Sequence, residues 1–317
     1  MQLSKKSVLV IGDVMLDKWV YLQSIRTSPE TNAPIVRIES EFIEMGGAGN
    51  ALRHLANLSD GSHELIGVVG DDSAGVKLLE ISKSVEANTK LVIDTKRLTT
   101  AKDRYFLDNI PIYRHDNESL DDLDEQIENE IFSFIQKSLS SKDSILLSDY
   151  AKGVLSQKLV SRVISLANSA KIPIISDPGM GRIQIHAGCD IIKPNAKEWY
   201  VFVEQMGSEA SALSMLFSKG TKSVVITQGA AGIRLVDKDI DIFNDAENLM
   251  AATDVTGAGD SVAVALSLLV DSRGCVPELL PILNRVGGQT VSKSRTELPL
   301  GIEMDSNLSA AIIDPRK

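Results

Sequence analysis

Three features of this sequence predict an α/β fold built on a mainly parallel sheet. Short β-branched runs recur along the chain, stretches of helical length separate them, and a glycine-rich turn runs straight into an apolar helix. The runs cover residues 7–11, 64–69, 144–147, 172–176 and 223–227. Each is apolar along its length instead of alternating, which is the pattern of a strand buried on both faces. Amphipathic stretches at 50–58, 74–84, 123–138 and 157–170 lie between them, so helices are expected on both sides of the sheet.

Two segments break this rhythm. Residues 18–39 and 97–116 carry short alternating stretches rich in β formers, such as 34–38 and 104–107. They predict a small antiparallel sheet laid over one end of the main sheet as a lid. No linker, repeat or low-complexity stretch marks off a second unit, so residues 1–317 read as one domain with lid strands inserted.

Composition narrows the function. The chain has 317 residues, 43% hydrophobic and 24% charged, the balance of an ordinary soluble domain. A net charge of -10 with no block of lysine or arginine excludes nucleic acid as a partner. An anionic ligand must then be held by local devices. Cys189 and Cys275 form no metal-type or redox-type pair, read as small core residues and point to a reducing compartment. Lys5 and Lys6 precede an apolar run that Asp13 and Asp17 interrupt, unlike a signal peptide. Residues 261–270 are too short for a membrane span of about 20 residues. A cytoplasmic protein that does not meet the membrane is expected. The histidines His54, His63, His115 and His186 show no ligand spacing, and no zinc site is expected.

The strongest motif is Thr-Asp-Val-Thr-Gly-Ala-Gly-Asp at 253–260, directly before the apolar helix. Gly257, Ala258 and Gly259 let a ligand approach the unpaired N–H groups of the helix start, an anion hole strengthened by the helix dipole. Asp260 at that point places a carboxylate beside a bound phosphate, suited to taking a proton from an attacking hydroxyl. The plain alternative is a glycine turn capped by an ordinary aspartate. Dinucleotide spacing fails, because Val262 and Leu52 stand where a third glycine belongs, and no Gly-Lys-Ser/Thr phosphate loop is present.

Met45-Gly46-Gly47-Ala48-Gly49-Asn50 and the 254–260 string together resemble the two signatures of the ribokinase-like, PfkB-type carbohydrate kinases, and the resemblance covers essentially the whole chain. It implies a three-layer sandwich with a mainly parallel central sheet and a small β lid. It also implies ATP as phosphoryl donor, Gly46, Gly47 and Asn50 against the sugar, and Asp260 as base. Pro194-Asn195-Ala196-Lys197-Glu198 is similar to the family's Asn-x-x-Glu element, which implies Asn195 and Glu198 near magnesium and Lys197 near the nucleotide; taken alone, this pair is a helix cap. Thr227, Gly229 and Gly232 resemble its nucleotide loop, the alternative being a hairpin turn, and Asn284 stands where relatives contact adenine. A monovalent cation near Asp254 and Thr256 is a further implication.

Gly12 to Asp17, Arg26-Thr27-Ser28-Pro29-Glu30 and Leu147 to Gly153 closely resemble heptose 7-phosphate kinases of the ADP-heptose pathway. These phosphorylate the anomeric hydroxyl of D-glycero-D-manno-heptose 7-phosphate to the 1,7-bisphosphate. Asp13 and Asp17 follow the first strand, Asp149 and Lys152 follow another, and carboxylates at that edge can accept bonds from sugar hydroxyls. Lys102, Arg104 and Arg114 in the lid are cations for the substrate phosphate, or else solvated charge among Asp103, Asp108 and Asp116.

The sequence also departs from that pattern. Asp177-Pro178-Gly179-Met180 stands where the heptose kinases carry Asp-Pro-Lys-Gly, so a basic group near the transferring phosphate is missing, with Arg182 and Lys193 as replacements. Ser294-Arg295-Thr296-Glu297 replaces a Gly-Thr-Ser-Thr loop. The chain ends at Lys317 without the adenylyltransferase domain fused to some relatives, so the kinase step alone is expected. A kinase of another sugar or sugar phosphate, and a non-catalytic sugar-binding protein of this fold, remain alternatives. Exposed lid strands suggest a homodimer.

Overall fold

The computed structural model describes residues 4–84, 87–246, 257–271 and 274–291. The chain opens with β1 (Val8–Gly12) and then leaves the body through β2 (Val14–Thr27) and β3 (Pro34–Gly47), returning with α1 (Ala48–Leu58). β4 (Glu64–Gly70), α2 (Ser73–Ser84) and β5 (Asn88–Asp94) follow, and a second excursion forms β6 (Ala101–Leu107) and β7 (Ile110–Asn117). Next come α3 (Glu125–Ser138), β8 (Ser144–Ser148), α4 (Gln157–Ala170), β9 (Ile174–Asp177) and β10 (Ile191–Ile192). α5 (Ala196–Met206), α6 (Glu209–Ser218), β11 (Ser223–Thr227), β12 (Gly232–Val236), β13 (Asp241–Asp245), α7 (Ala258–Leu269) and α8 (Leu280–Val291) complete it.

The main sheet has the order β13-β12-β11-β10-β9-β8-β1-β4-β5. From β11 to β5 every pair is parallel, and β12 and β13 close one edge antiparallel. Side chains alternate across each central strand. Val8, Val10, Leu146, Ile175, Ile191 and Val225 face one core with α1, α7 and α8, while Leu9, Ile11, Ile145, Leu147, Ile174 and Val224 face the other with α3, α4 and α6. This double burial is why those runs lack a polar phase. Cys189 and Cys275 are free thiols inside the two cores, and burial pushes the Cys275 thiol up to about 12. No helix among the described residues is long and apolar enough to cross a membrane.

The lid is a separate sheet in the order β3-β2-β6-β7. It was expected to be antiparallel, but β2 and β6 run parallel. Both excursions start from the carboxyl edge of the main sheet and head outward, so their outgoing strands share a direction, and each returning strand pairs antiparallel beside its own partner. The lid strands also root deeper than residues 18–39 suggest, because β2 begins two residues after β1 ends. β5 and β10 had no sequence signal of their own. β5 is an edge strand with one exposed face, and β10 is two residues long.

Gly12 lies opposite Ser148 in the β1–β8 ladder, and a Cβ built on it would sit 1.9 Å from the Ser148 carbonyl oxygen. Neither backbone can retreat from a central strand pair. Gly12→Ala is expected to destabilise the fold by about 3 kcal/mol or more, read from the midpoint of urea unfolding.

Candidate active site

The site lies at the carboxyl edge of the parallel strands, below the lid. α7 starts there. Gly257 caps it with a positive φ of 83°, which an L side chain rarely adopts, and a Cβ at that position would meet Asn50 Nδ2 at 2.9 Å. Asp260 sits in the first turn of α7 and is held at both oxygens. Asn50 Nδ2 donates to Oδ2 at 2.6 Å, and the Tyr150 hydroxyl donates to Oδ1 at 2.5 Å. Asn50 is oriented in turn by Arg53, which also pairs with Glu44. Gly47, at φ 61°, ends β3 and caps α1, delivering Asn50 to this point. His54, one turn further along α1, is buried beside the same carboxylate. Burial pushes its imidazole down to about 4, with Asp260 opposing and Arg53 assisting.

Lys193, directly after β10, is only 2% exposed and pairs with Asp177 at 2.9 Å. A Cβ on Gly259 would lie 3.6 Å from its Nζ, so the ammonium faces the glycine turn. Burial alone would lower its pKa, but Asp177 and, more weakly, Glu198 and Asp260 outweigh this and hold it above the ordinary value. Asp177 is raised to about 7 by burial, with Lys193 pulling the other way. Arg182, the other replacement for the missing lysine, is engaged elsewhere. Its guanidinium pairs with Asp149 at 2.7 Å and reaches the Leu155 carbonyl.

Asp13 and Asp149 occupy the expected strand ends, but their oxygens are turned inward. Asp13 is 1% exposed and accepts backbone N–H bonds from Tyr150 (2.7 Å), Lys152 (3.1 Å) and Val154 (3.1 Å). Asp149 accepts from Ala151 N–H and Arg182 and contacts His186 at 2.8 Å. Burial works against its ionisation, yet His186 and Arg182 outweigh that and hold its carboxyl below the usual value. What these two acids do here is fix the 149–154 loop. In this structure each of the two carboxylates meets three internal polar partners, which leaves little acceptor capacity for a sugar hydroxyl.

Asp17 remains towards the lid. Its Oδ1 accepts from Arg104 at 2.7 Å, and its Oδ2 lies where a side chain on Gly46 would begin, 1.9 Å from that Cβ position. Arg104 stacks over Trp19, its guanidinium 4.9 Å from the ring centroid. Lys102 lies 5.8 Å from the Tyr150 ring centroid, and burial lowers its pKa. Lys152 pairs with Glu118 at 2.6 Å. Arg114 forms a two-pronged pair with Asp116 at 2.7 Å on the exposed side of the lid, so it is the lid cation most engaged by its own neighbour.

At the other end, Asn195 and Glu198 form a complete capping box on α5. Asn195 Oδ1 accepts from the N–H groups of Lys197 and Glu198 at 2.9 Å, and Glu198 Oε2 accepts from Asn195 N–H at 2.7 Å. The cap and the metal reading coexist, since Glu198 keeps acceptor capacity on its second oxygen. Its half-buried carboxylate, raised in pKa by burial, suits a hard dication that also binds phosphate oxygens and water. Lys197 is exposed on the first turn. Thr227 ends β11 and bridges to Asn195, which puts the start of the nucleotide loop beside the cap. Gly229 has open space at its Cβ position, whereas Gly232 turns tightly against Asn244 as β12 begins. Asn284 donates to the Asn244 side chain at 2.7 Å and to its carbonyl at 2.9 Å, tying α8 to β13. The cation site expected near Asp254 and Thr256, and the 294–297 loop, lie outside the described residues.

A nine-stranded α/β body, a four-stranded lid over its carboxyl edge and a carboxylate at a glycine-capped helix start between them are the architecture of a ribokinase-like enzyme. The chain belongs to the pfkB family of carbohydrate kinases, whose family model matches residues 5–301, and is a sugar kinase. It is 34% identical over 319 residues to the bifunctional protein HldE of Caulobacter vibrioides, covering 98% of this chain and 65% of that protein. HldE of Hyphomonas neptunium is also 34% identical, over 312 residues, with 96% of this chain and 64% of that protein covered. The chain therefore spans less than two thirds of the length of these relatives. A carbohydrate kinase from Agrobacterium tumefaciens shares the fold with a TM-score of 0.69 at 17% identity, covering 97% of both chains. The tetrameric inhibited form of phosphofructokinase-2 from Escherichia coli gives 0.70 at 18%, over 90% of this chain and 94% of that one.

Neither His54, which shows no ligand spacing, nor the Tyr150 phenol is marked as a site residue by the sequence. The signal available was position alone, since Tyr150 lies inside a string at the carboxyl edge of a strand. His54 also sets a pH dependence. Its folded pKa of about 4 lies below its ordinary 6.5, so the unfolded chain binds more protons between these values and stability falls as pH drops from 6.5 to 4. His54→Gln is expected to remove roughly 2 kcal/mol of the acid loss between pH 7.5 and pH 5. Urea unfolding of both proteins at pH 7.5 and pH 5 measures the difference.

Proposed function

We propose that this chain transfers the γ-phosphoryl group of ATP to the anomeric hydroxyl of D-glycero-D-manno-heptose 7-phosphate, giving the 1,7-bisphosphate, with Asp260 as the base. One observation carries the reading: a single tyrosine side chain separates Asp260 from the lid cations. Tyr150 touches Asp260 with its hydroxyl and lies under Lys102 with its ring. One side chain thus reaches from the base to a lid cation, the two ends between which a phosphorylated sugar would have to lie. Lys102 and Arg104 grip the 7-phosphate with Lys152, Asp17 and Asn50 bind hydroxyls, and Gly46 and Gly47 form the floor.

On the donor side Thr227, Gly229, Asn195 and Glu198 line the path of ATP. Glu198, with Asn195 fixing it, would hold magnesium, which when bound neutralises charge on the phosphates. Lys193 supplies the cation that Gly179 does not, beside the turn of Gly257, Ala258 and Gly259 that receives the developing charge. Asp260 takes the proton as the hydroxyl attacks. Support for the substrate comes from the HldE relatives at 34% identity. We place the enzyme in the cytoplasm, where ATP and sugar phosphates are available.

Asp260→Asn is expected to lower kcat by about 100- to 10,000-fold with little change in KM, the usual weight of a general base. The test is a coupled ADP-release assay with heptose 7-phosphate, fructose 6-phosphate and fructose 1-phosphate. Near-normal turnover in the variant would sink the base assignment. A higher kcat/KM for a fructose phosphate would move the substrate to another sugar.

The lid also supports a homodimer. Ile25, Ile38, Phe42, Ile110, Ile112 and Tyr113 are each more than half exposed, apolar side chains spread over both faces of the lid that contact with a copy could cover. Sedimentation is expected to show a dimer that Phe42→Asp with Ile112→Asp converts to monomer. A wild-type monomer at micromolar concentration would rule this interface out.

A further inference from the structure

Asp260 is hydrogen-bonded at both oxygens, to Asn50 on Oδ2 and to the Tyr150 phenol on Oδ1. Proton abstraction needs a carboxylate oxygen facing the nucleophile. Here a hydroxyl belonging to the protein takes that place.

The loop that carries the phenol is fixed. Asp13 accepts the Tyr150 N–H at 2.7 Å and two further amides of the loop, and Asp149 accepts Ala151 N–H at 2.7 Å while paired to Arg182 and His186. With the backbone held from both strand ends, the phenol leaves Asp260 by rotating about its own side-chain bonds. Burial, then the carboxylates of Asp260 and Asp177, push its pKa well above the ordinary value, so it donates a hydrogen bond and keeps its proton. Its ring reaches under Lys102, into the space between the lid cations and the base.

We propose that Tyr150 locks the catalytic base: its phenol occupies the position on Asp260 that the acceptor hydroxyl takes during transfer, and the arriving sugar displaces it. This rests on the reading of Asp260 as base. The lock matters because water is a competing nucleophile. In the unlocked empty site a water oxygen would bond to the γ-phosphorus of ATP as the bond to the β–γ bridging oxygen breaks. ADP would leave with that electron pair, Asp260 would take the water proton, and inorganic phosphate would be lost. A sugar hydroxyl replaces one O–H···carboxylate bond by another, so it can open the lock at small cost. Tyr150 acts through Asp260 and is a positioning residue.

Tyr150→Phe removes the hydroxyl and keeps the ring. Two measurements test the lock: ATP hydrolysis without sugar, and the Kd of heptose 7-phosphate by calorimetry without nucleotide, or of fructose 6-phosphate should the substrate panel select it. Hydrolysis is expected to rise about tenfold and the sugar Kd to fall about tenfold, with KM following Kd. Damage to a purely structural contact would weaken sugar binding instead. Unchanged hydrolysis, or unchanged or weaker sugar binding, overturns the lock. Tyr150→Phe combined with Asp260→Asn must lose the gain in hydrolysis, and a gain that persists there also overturns it. Normal sugar phosphorylation by Asp260→Asn alone removes the base reading and the lock with it.

Discussion

The three amide bonds that Asp13 accepts from Tyr150, Lys152 and Val154 tie the end of β1 to the loop after β8. Much of the site hangs on that tie. β1 lies between β8 and β4 and continues through Asp13 into the lid strand β2, so one buried carboxylate joins body, lid and loop. Its burial raises its pKa, a cost that the three donors offset. The loop then carries Tyr150 to Asp260, and the residue before it, Asp149, is locked by Arg182 and His186. A charged anchor is needed because several backbone donors converge where the sheet ends and no further strand can satisfy them.

Much of the body was legible in the sequence. Strands buried on both faces leave uninterrupted apolar runs, and each of the five appears in the sheet. The short strands were not, since β10 at two residues has no periodicity to read and β5 shows the mixed pattern of an edge. The direction of β6 beside β2 was also hidden, because alternation gives a strand's faces and not its neighbour's direction. In the site, sequence placed acids at the correct edge but could not tell which lone pairs were already taken. Asp13 and Asp17 look alike on paper, four residues apart. One is consumed by backbone amides of a loop far along the chain, and the other looks out under the lid towards Arg104.

The same limit applies to the lysine that the sequence lacks at Gly179. A motif fixes a residue in one segment, whereas a phosphate senses only where positive charge stands. Gly179 lies against the 149–151 loop, where a Cβ would come within 3.0 Å of Ala151 N, and Lys193 brings an ammonium to the glycine turn from the neighbouring strand. Arg182, closer to Gly179 in sequence, is tied to Asp149 and cannot do so.

The lid has a mechanical consequence. β2 and β3 are held at their roots, where Val14 pairs with Gly47 and Gly47 packs against the Asp13 carbonyl, while the ladder is interrupted at Tyr21/Leu22 and Ser24/Arg26. Bulges bend and twist a strand more readily than a regular ladder. The lid is therefore a cantilever clamped beside the base and bent towards its tip. The outer half, with Ile25 and Ile38, leaves the direction set at the root, while Asp17 and Gly46 stay in the regular part of the ladder beside the base, so the shape of the tip is set independently of the site.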